Sequence, residues 1–244
     1  MFLYQTRRSC FFFGGIFLKK KVFYTEASYL LGLFVLTVGT VLMTRADFGL
    51  SMVVAPAYLL HLKVSEFLPF FSFGMAEYTL QGVLLLATGL LTGRFRISYL
   101  FSFFTAVLYG LMLDGLLTLS VFLPVSSLVW RGIWYALGLV TCSLGVSLLF
   151  HTYLPPAAYE FFVKEVSGKM NKDIHRFKTV YDCVSCVVAV VMSFLFFGFG
   201  HFEGVKWGTV LCALLNGTII GFFAHRMEKR FEFRDRFPRL RKLF

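Results

Sequence analysis

Nine polar side chains sit inside or beside apolar stretches of this 244-residue chain: Arg45, Asp47, Glu77, Gln81, Asp114, His151, Glu160, Asp182 and Asn216. An ionisable group in a bilayer costs on the order of 3 kcal/mol by insertion scales. Such groups therefore mark a pathway, a binding site or a structural pair. Glu77 and Gln81 are one helical turn apart and share a face. Asp182 follows Lys178, and Glu160 precedes Lys164, at the spacing of an i,i+4 ion pair. Carboxylates, amides and cations of this kind can bind and release a small polar solute. Each also has a plainer reading, as an ion pair at a membrane surface, a solvated helix end or a polar packing contact.

Catalytic groupings are missing from the sequence. His61, His151, His175, His201 and His225 are dispersed and form no HExxH arrangement. No GxxxxGK[ST] loop is present, and no Ser/His/Asp grouping can be assigned. Cys183-x-x-Cys186 lies within an apolar segment with no second pair and no histidine at ligand spacing, so buried thiols acting as small apolar groups are expected. The expectation is a protein that is not an enzyme and uses no metal or cofactor.

The elements that hold these residues are membrane helices. Hydrophobic residues make up 58% and charged residues 15% of the chain, and mean hydropathy is +0.75. Soluble domains carry roughly 25% charged residues. Six segments approach the ~20 apolar residues that span a bilayer: 27–44, 77–93, 97–118, 132–150, 180–199 and 205–224. The fold expected is all-α and polytopic. FFFGGIFL at 11–18 is too short to span; Lys19, Lys20 and Lys21 follow it with no small-x-small cleavage site, so residues 1–26 are read as an interfacial segment and not a signal peptide.

With the N-terminus inside, 20 of the 24 basic residues fall in inner segments, which places both termini in the cytoplasm. The net charge of +11 is thereby explained without nucleic acid, because the charge lies in loops and tails and not along a stripe of a folded domain. The basic tail at 225–244 is expected to rest on anionic headgroups of the lipid bilayer.

The chain also resembles itself. LGLFVLTVGTVLMTRADFGL at 31–50 aligns without gaps on LGLVTCSLGVSLLFHTYLPP at 137–156, pairing Gly32 with Gly138 and Gly39 with Gly145. GRFRISYLFSFFTAVLYG at 93–110 parallels GHFEGVKWGTVLCALLNG at 200–217, which pairs Tyr109 with Asn216 and, farther on, Asp114 with Gly221. Gly217-x-x-x-Gly221 has the spacing of a close helix contact. Three spans in each copy, at 27–118 and 132–224, make the repeats inverted, and secondary transporters are often built this way. The stretch after each first span, 45–62 and 151–166, is broken by Gly49 or by Pro155 and Pro156. It either dips back as a half-helix or lies flat at the interface. In the first case Arg45 would pair with Asp47 or hold an anionic group at one cavity mouth, with His151 at the other.

RADFGLS after a glycine-containing first span, the duplicated three-span unit and GVKWGTVLCALLNG near the end resemble the YczE/YyaS/YitT family of bacterial membrane proteins over about residues 27–224. In that family the Arg-Ala-Asp-x-Gly stretch is often followed by proline and a further acid. Here Ser51 leads into Met52, Val53 and Val54, with proline only at 56, so no role of that acid carries over. The resemblance implies an integral protein of the bacterial cytoplasmic membrane and supplies no substrate or catalytic residue.

The function expected is a carrier or channel for a small solute. The alternatives are an accessory or regulatory membrane protein without transport, and an intramembrane enzyme acting on lipid-linked substrates. The solute and the oligomeric state are not specified by the sequence.

Overall fold

A computed structural model of the protein describes residues 20–93, 95–172, 174–198 and 204–241. The chain runs β1 (Lys21–Tyr24), α1 (Thr25–Ala46), α2 (Ala55–Ser65), α3 (Phe73–Thr92), α4 (Ile97–Leu119), a 3-10 turn (Ser120–Phe122), α5 (Leu128–Phe150), α6 (Ala158–Lys169), α7 (Ile174–Phe197), α8 (Trp207–Arg230), β2 (Phe231–Arg234) and a final turn α9 (Pro238–Arg241). Helices α1, α3, α4, α5, α7 and α8 are long and apolar enough to cross a membrane. The protein is an all-α polytopic membrane protein. The spans extend a few residues beyond the apolar runs because their ends carry polar and aromatic residues that remain helical. FFFGGIFL lies outside the described residues.

Local chemistry sets the helix ends. Ser72 caps α3 by accepting from the Met75 N–H at 3.1 Å, and Gly93 ends it in the left-handed region at φ +68°. Asp47, at φ +52°, closes α1, and its N–H reaches the Met43 and Thr44 carbonyls. Pro56 sits in the first turn of α2, where its missing N–H costs nothing. Pro155 and Pro156 precede α6 and keep α5 from running on.

The core is the crossing of α1 and α5. A Cβ on Gly39 would lie 2.5 Å from the Cys142 backbone nitrogen, and one on Gly145 would lie 2.5 Å from that of Leu36. Gly32 faces the Gly145 carbonyl, and Gly138 faces that of Gly39. The two helices therefore run antiparallel with their backbones in contact. In lipid such contact rests on van der Waals packing between small residues, since lipid tails are as apolar as leucine. A buried hydroxyl completes the seam, with Ser28 Oγ donating to the Leu148 carbonyl at 2.8 Å, and Tyr29 Oη and Thr105 Oγ1 share a 2.6 Å hydrogen bond that joins α1 to α4.

The remaining helices surround this pair. α1 packs on α4 and α5 on α8; α2 lies against α3 and α7, and α6 against α7 and α3. α3 and α4 are in close contact through Gly74 and Gly110. α7 and α8 touch only briefly, and a Cβ on Gly217 or Gly221 would meet nothing within 4 Å. The close contact expected of Gly217 and Gly221 is therefore corrected: this face of α8 is open, and the glycine that makes a helix pair is Gly110, the repeat counterpart of Gly217.

β1 and β2 are a second departure from the sequence expectation. They form a parallel two-stranded ribbon with Lys21 opposite Phe231. The ribbon packs Phe23 against Phe231 and Phe233.

Candidate functional site

A cavity of about 50 Å³ lies where α1, α3, α4, α5, α7 and α8 surround the tips of α2 and α6. Leu36 near the middle of α1 and Cys142 of α5 line it, as do Tyr109 of α4 and Asn216 of α8. Ser51–Val54 approach it ahead of α2, and Ala157, Tyr159 and Glu160 approach it at the start of α6. These are matching stretches of the two repeats, 106 residues apart. A larger groove of about 660 Å³ opens outward between α3 and α4, with a lining that is apolar apart from Tyr78, Thr79, Arg96 and Tyr99.

The course of α6 follows from its contacts. The Ala158 N–H donates to Gln81 Oε1 at 3.0 Å, halfway along α3, and Lys169 Nζ reaches the Leu91 carbonyl near the end of α3 at 2.5 Å. Ten residues of α3 rise about 15 Å, close to the length of α6 itself. So α6 runs alongside α3, with its N-terminus in the middle of the bundle, and does not lie across the bundle end. α2 is shallower. Its N-terminal approach reaches the cavity at Ser51, while Tyr58 stacks edge-on with Phe73 at 5.2 Å and His61 Nδ1 lies 2.8 Å from the Phe71 carbonyl.

Five of the nine polar residues singled out in the sequence meet at this site. Gln81 Nε2 donates to Glu77 Oε2 at 3.1 Å, and the Tyr159 hydroxyl donates to the same oxygen at 3.0 Å. Glu77 is fully buried, and its Oε1 has no partner among the described residues. Glu160 lines the cavity together with Lys178 and Asp182, which form an ion pair of 2.8 Å. Asn216 Oδ1 accepts from Ser143 Oγ at 2.9 Å. The pairing of Glu160 with Lys164 is not formed: Lys164 is exposed.

The other four lie at the bundle ends. Arg45 and Asp47 do not pair. Arg45 donates from Nε to Ser120 Oγ and from a terminal nitrogen to the Leu117 carbonyl, both at 2.8 Å, which fastens the end of α4. Asp47 binds Arg131 at 2.9 Å and Lys206 at 2.6 Å, joining the end of α1 to the starts of α5 and α8. Asp114 accepts from Ser72 Oγ at 2.6 Å and from the Gly74 N–H at 2.8 Å, so it caps α3 and does not line the cavity. His151 is buried against β2: its ring stacks on Phe233 at 4.4 Å, Nδ1 lies 2.7 Å from the Ser147 carbonyl, and Nε2 lies 3.5 Å from Glu228.

A counterpart of the Asp47 junction stands at the opposite end. Tyr153 occupies the repeat position of Asp47, and its hydroxyl donates to Glu26 Oε1 at 2.9 Å. Glu26 also accepts from the backbone N–H groups of Arg236 and Phe237. Burial and the bond to the Glu26 carboxylate push the Tyr153 hydroxyl up to about 12, so it remains a donor.

Tyr159, Thr40 and Ser51 belong to the site without having been singled out, and Lys178 was noted only as an ion-pair partner. Nothing in their local sequence sets them apart; the one available signal was the repeat, which puts Tyr159 and Glu160 in register with Val53 and Val54. Among the described residues, no group of three or more His, Cys, Asp or Glu is placed to hold a metal ion.

The chain matches no curated protein and no solved structure. A family model matches residues 23–225, which covers every residue that lines the cavity. By that match the chain belongs to the Family of unknown function (DUF6198).

Proposed function

We propose that the protein is a carrier for a small polar solute, built as two inverted repeats around the central cavity. The observation that carries this reading is the lining itself. Matching stretches of both halves supply it, and two broken segments bring backbone and polar side chains into the middle of an otherwise apolar bundle. Irregular backbone at membrane depth is tolerated where it is buried or lines a wet cavity. The seam of α1 and α5 supports the two-fold relation, because Gly39 meets Cys142 as Gly145 meets Leu36, and Leu36 and Cys142 are themselves repeat partners. An exchange of this kind is what an isologous contact requires.

In this reading the two end junctions act as latches. Asp47 with Arg131 and Lys206 fastens the segment before α2 at the outer end. Tyr153 with Glu26 fastens the segment before α6 at the inner end. A cavity of about 50 Å³ holds roughly three waters, so passage of a solute requires one latch to open and widen it. Both termini lie on the cytoplasmic side of a bacterial cytoplasmic membrane. The basic-residue asymmetry supports this, and the β1–β2 ribbon supports placing both ends on one side.

Asn216→Cys on a cysteine-free background tests the reading. In a carrier this position reacts with a membrane-impermeant thiol reagent from either face of a reconstituted vesicle, and a transported solute slows both reactions. A panel of labelled metabolites then identifies the solute. Protection from both faces under all conditions would overturn transport through this cavity.

A further inference from the structure

We propose that Glu77 is a proton-binding site of the carrier, and that its proton controls the docking of the α6 tip on α3. The proposal rests on the transport reading and deepens it by naming the proton as the coupled ion.

The hydrogen-bond pattern is that of a neutral carboxylic acid. Glu77 Oε2 receives two donors, the Gln81 amide and the Tyr159 hydroxyl, as a carbonyl oxygen would. Oε1 receives none and is fully buried. Among the described residues, no cation lies within ion-pair distance of Glu77, although acid–base pairs form elsewhere, as between Lys178 and Asp182. A bare carboxylate so placed would have one oxygen unsolvated and no counter-charge, an arrangement costing far more than taking up a proton. A proton on Oε1 removes that charge and leaves Oε2 with both of its bonds.

The same carboxyl holds α6. Tyr159 is the second residue of that helix, and Gln81, held by Glu77, accepts from the Ala158 N–H at its first residue. Glu160 follows directly and lies close enough to repel a charge on Glu77. When movement of the α6 tip admits water to Glu77, the proton passes from Oε1 to that water, the O–H electron pair stays on the carboxylate, and the new negative charge faces Glu160. The charge strengthens the bonds that Tyr159 and Gln81 donate to Oε2, a gain that outweighs the repulsion from Glu160, so loss of the proton tightens the hold on the α6 tip. Return of the proton relaxes it. The second half has no equivalent acid. In the repeat register, Glu77 falls on Cys183 or Val184 and Gln81 on Val187 or Val188, all exposed on α7. The second copy therefore lacks a counterpart of Glu77.

Infrared spectroscopy of the purified full chain in lipid tests this without knowledge of the solute. The wild type shows a protonated-carboxyl carbonyl stretch at neutral pH that is lost in Glu77→Gln. In a pH titration followed with an indicator dye, Glu77→Gln releases one proton fewer per chain. Tyr159→Phe keeps the band but moves it to higher frequency, because the carbonyl loses a donor; this variant preserves the test if Glu77→Gln fails to fold. An unchanged band and proton count in Glu77→Gln, or an unmoved band in Tyr159→Phe, overturns the proposal. Two-sided labelling of Asn216→Cys with no Glu77 band leaves the carrier reading standing and removes only the proton site. A Glu77 band without two-sided labelling supports a proton site and removes the carrier reading.

Discussion

Gly145→Ala measures the α1–α5 seam. The added methyl would lie 2.5 Å from the Leu36 nitrogen, and Leu36 Cα and Cβ are also within 3 Å. Ordinary contact at about 3.5 Å requires the two backbones to separate by roughly 1 Å. Overpacking of this kind costs about 1–3 kcal/mol. Alanine in place of helical glycine gives back up to about 1 kcal/mol, so the suitable reference is Gly217→Ala, which has the same gain and an open site. The difference between the two variants isolates the seam. For a chain of this length each kcal/mol moves Tm by about 2–4 °C, so Gly145→Ala should melt roughly 2–12 °C below Gly217→Ala. The assay is thermal unfolding of the purified protein in detergent, followed by loss of the monodisperse peak in size exclusion. Gly39→Ala, whose methyl meets the Cys142 nitrogen at the same 2.5 Å, should match Gly145→Ala. Equal Tm values for Gly145→Ala and Gly217→Ala would refute the close crossing, and unequal effects at Gly39 and Gly145 would refute the two-fold relation.

Asp114→Ala removes two bonds that hold the start of α3, at a cost of about 1–2 kcal/mol; Tm should fall while two-sided labelling of Asn216→Cys persists, because Asp114 does not line the cavity. Asp47→Asn keeps a residue that tolerates the left-handed region and loses the ion pairs to Arg131 and Lys206. With Asp47 half exposed, stability should change by no more than about 1 kcal/mol, while labelling at position 216 from outside should speed up. Glu66→Cys and Lys164→Cys should react with an impermeant reagent from opposite faces of the membrane, Glu66→Cys from outside. Reaction of both from the same face would contradict the inverted topology.

The six spans were legible because length and apolarity are local properties. The glycines of the repeat were legible as a pattern, and their spacing reflects a physical constraint: only residues without a side chain let α1 and α5 touch. The site was legible in part. Glu77, Gln81, Glu160, Asp182 and Asn216 are polar because a buried network or cavity demands it. Arg45, Asp47, Asp114 and His151 are polar because helix ends have free carbonyls and N–H groups to satisfy. Both demands place a polar residue beside an apolar run, and sequence alone does not separate them. Tyr159 was missed because a tyrosine at a helix start carries no mark of what its hydroxyl will reach. The β1–β2 pairing was missed because two four-residue strands about 210 residues apart leave no local trace.

That ribbon has a consequence for how the protein is made. Lys21–Tyr24 is synthesised before the six spans, and its partner Phe231–Arg234 emerges only after them. Until then the first strand has an unsatisfied edge, which other extended chains can pair with. Closing a loop of this length is slow and entropically costly, so the ribbon forms after the helices have brought its two ends together. Once formed, it ties the start of α1 to the end of α8, where Lys20 Nζ donates to the Glu228 carbonyl, and it rests on the end of α5 through the ring of His151 on Phe233. It works as a final clasp, and a chain truncated before residue 231 would insert all six helices yet leave that clasp undone.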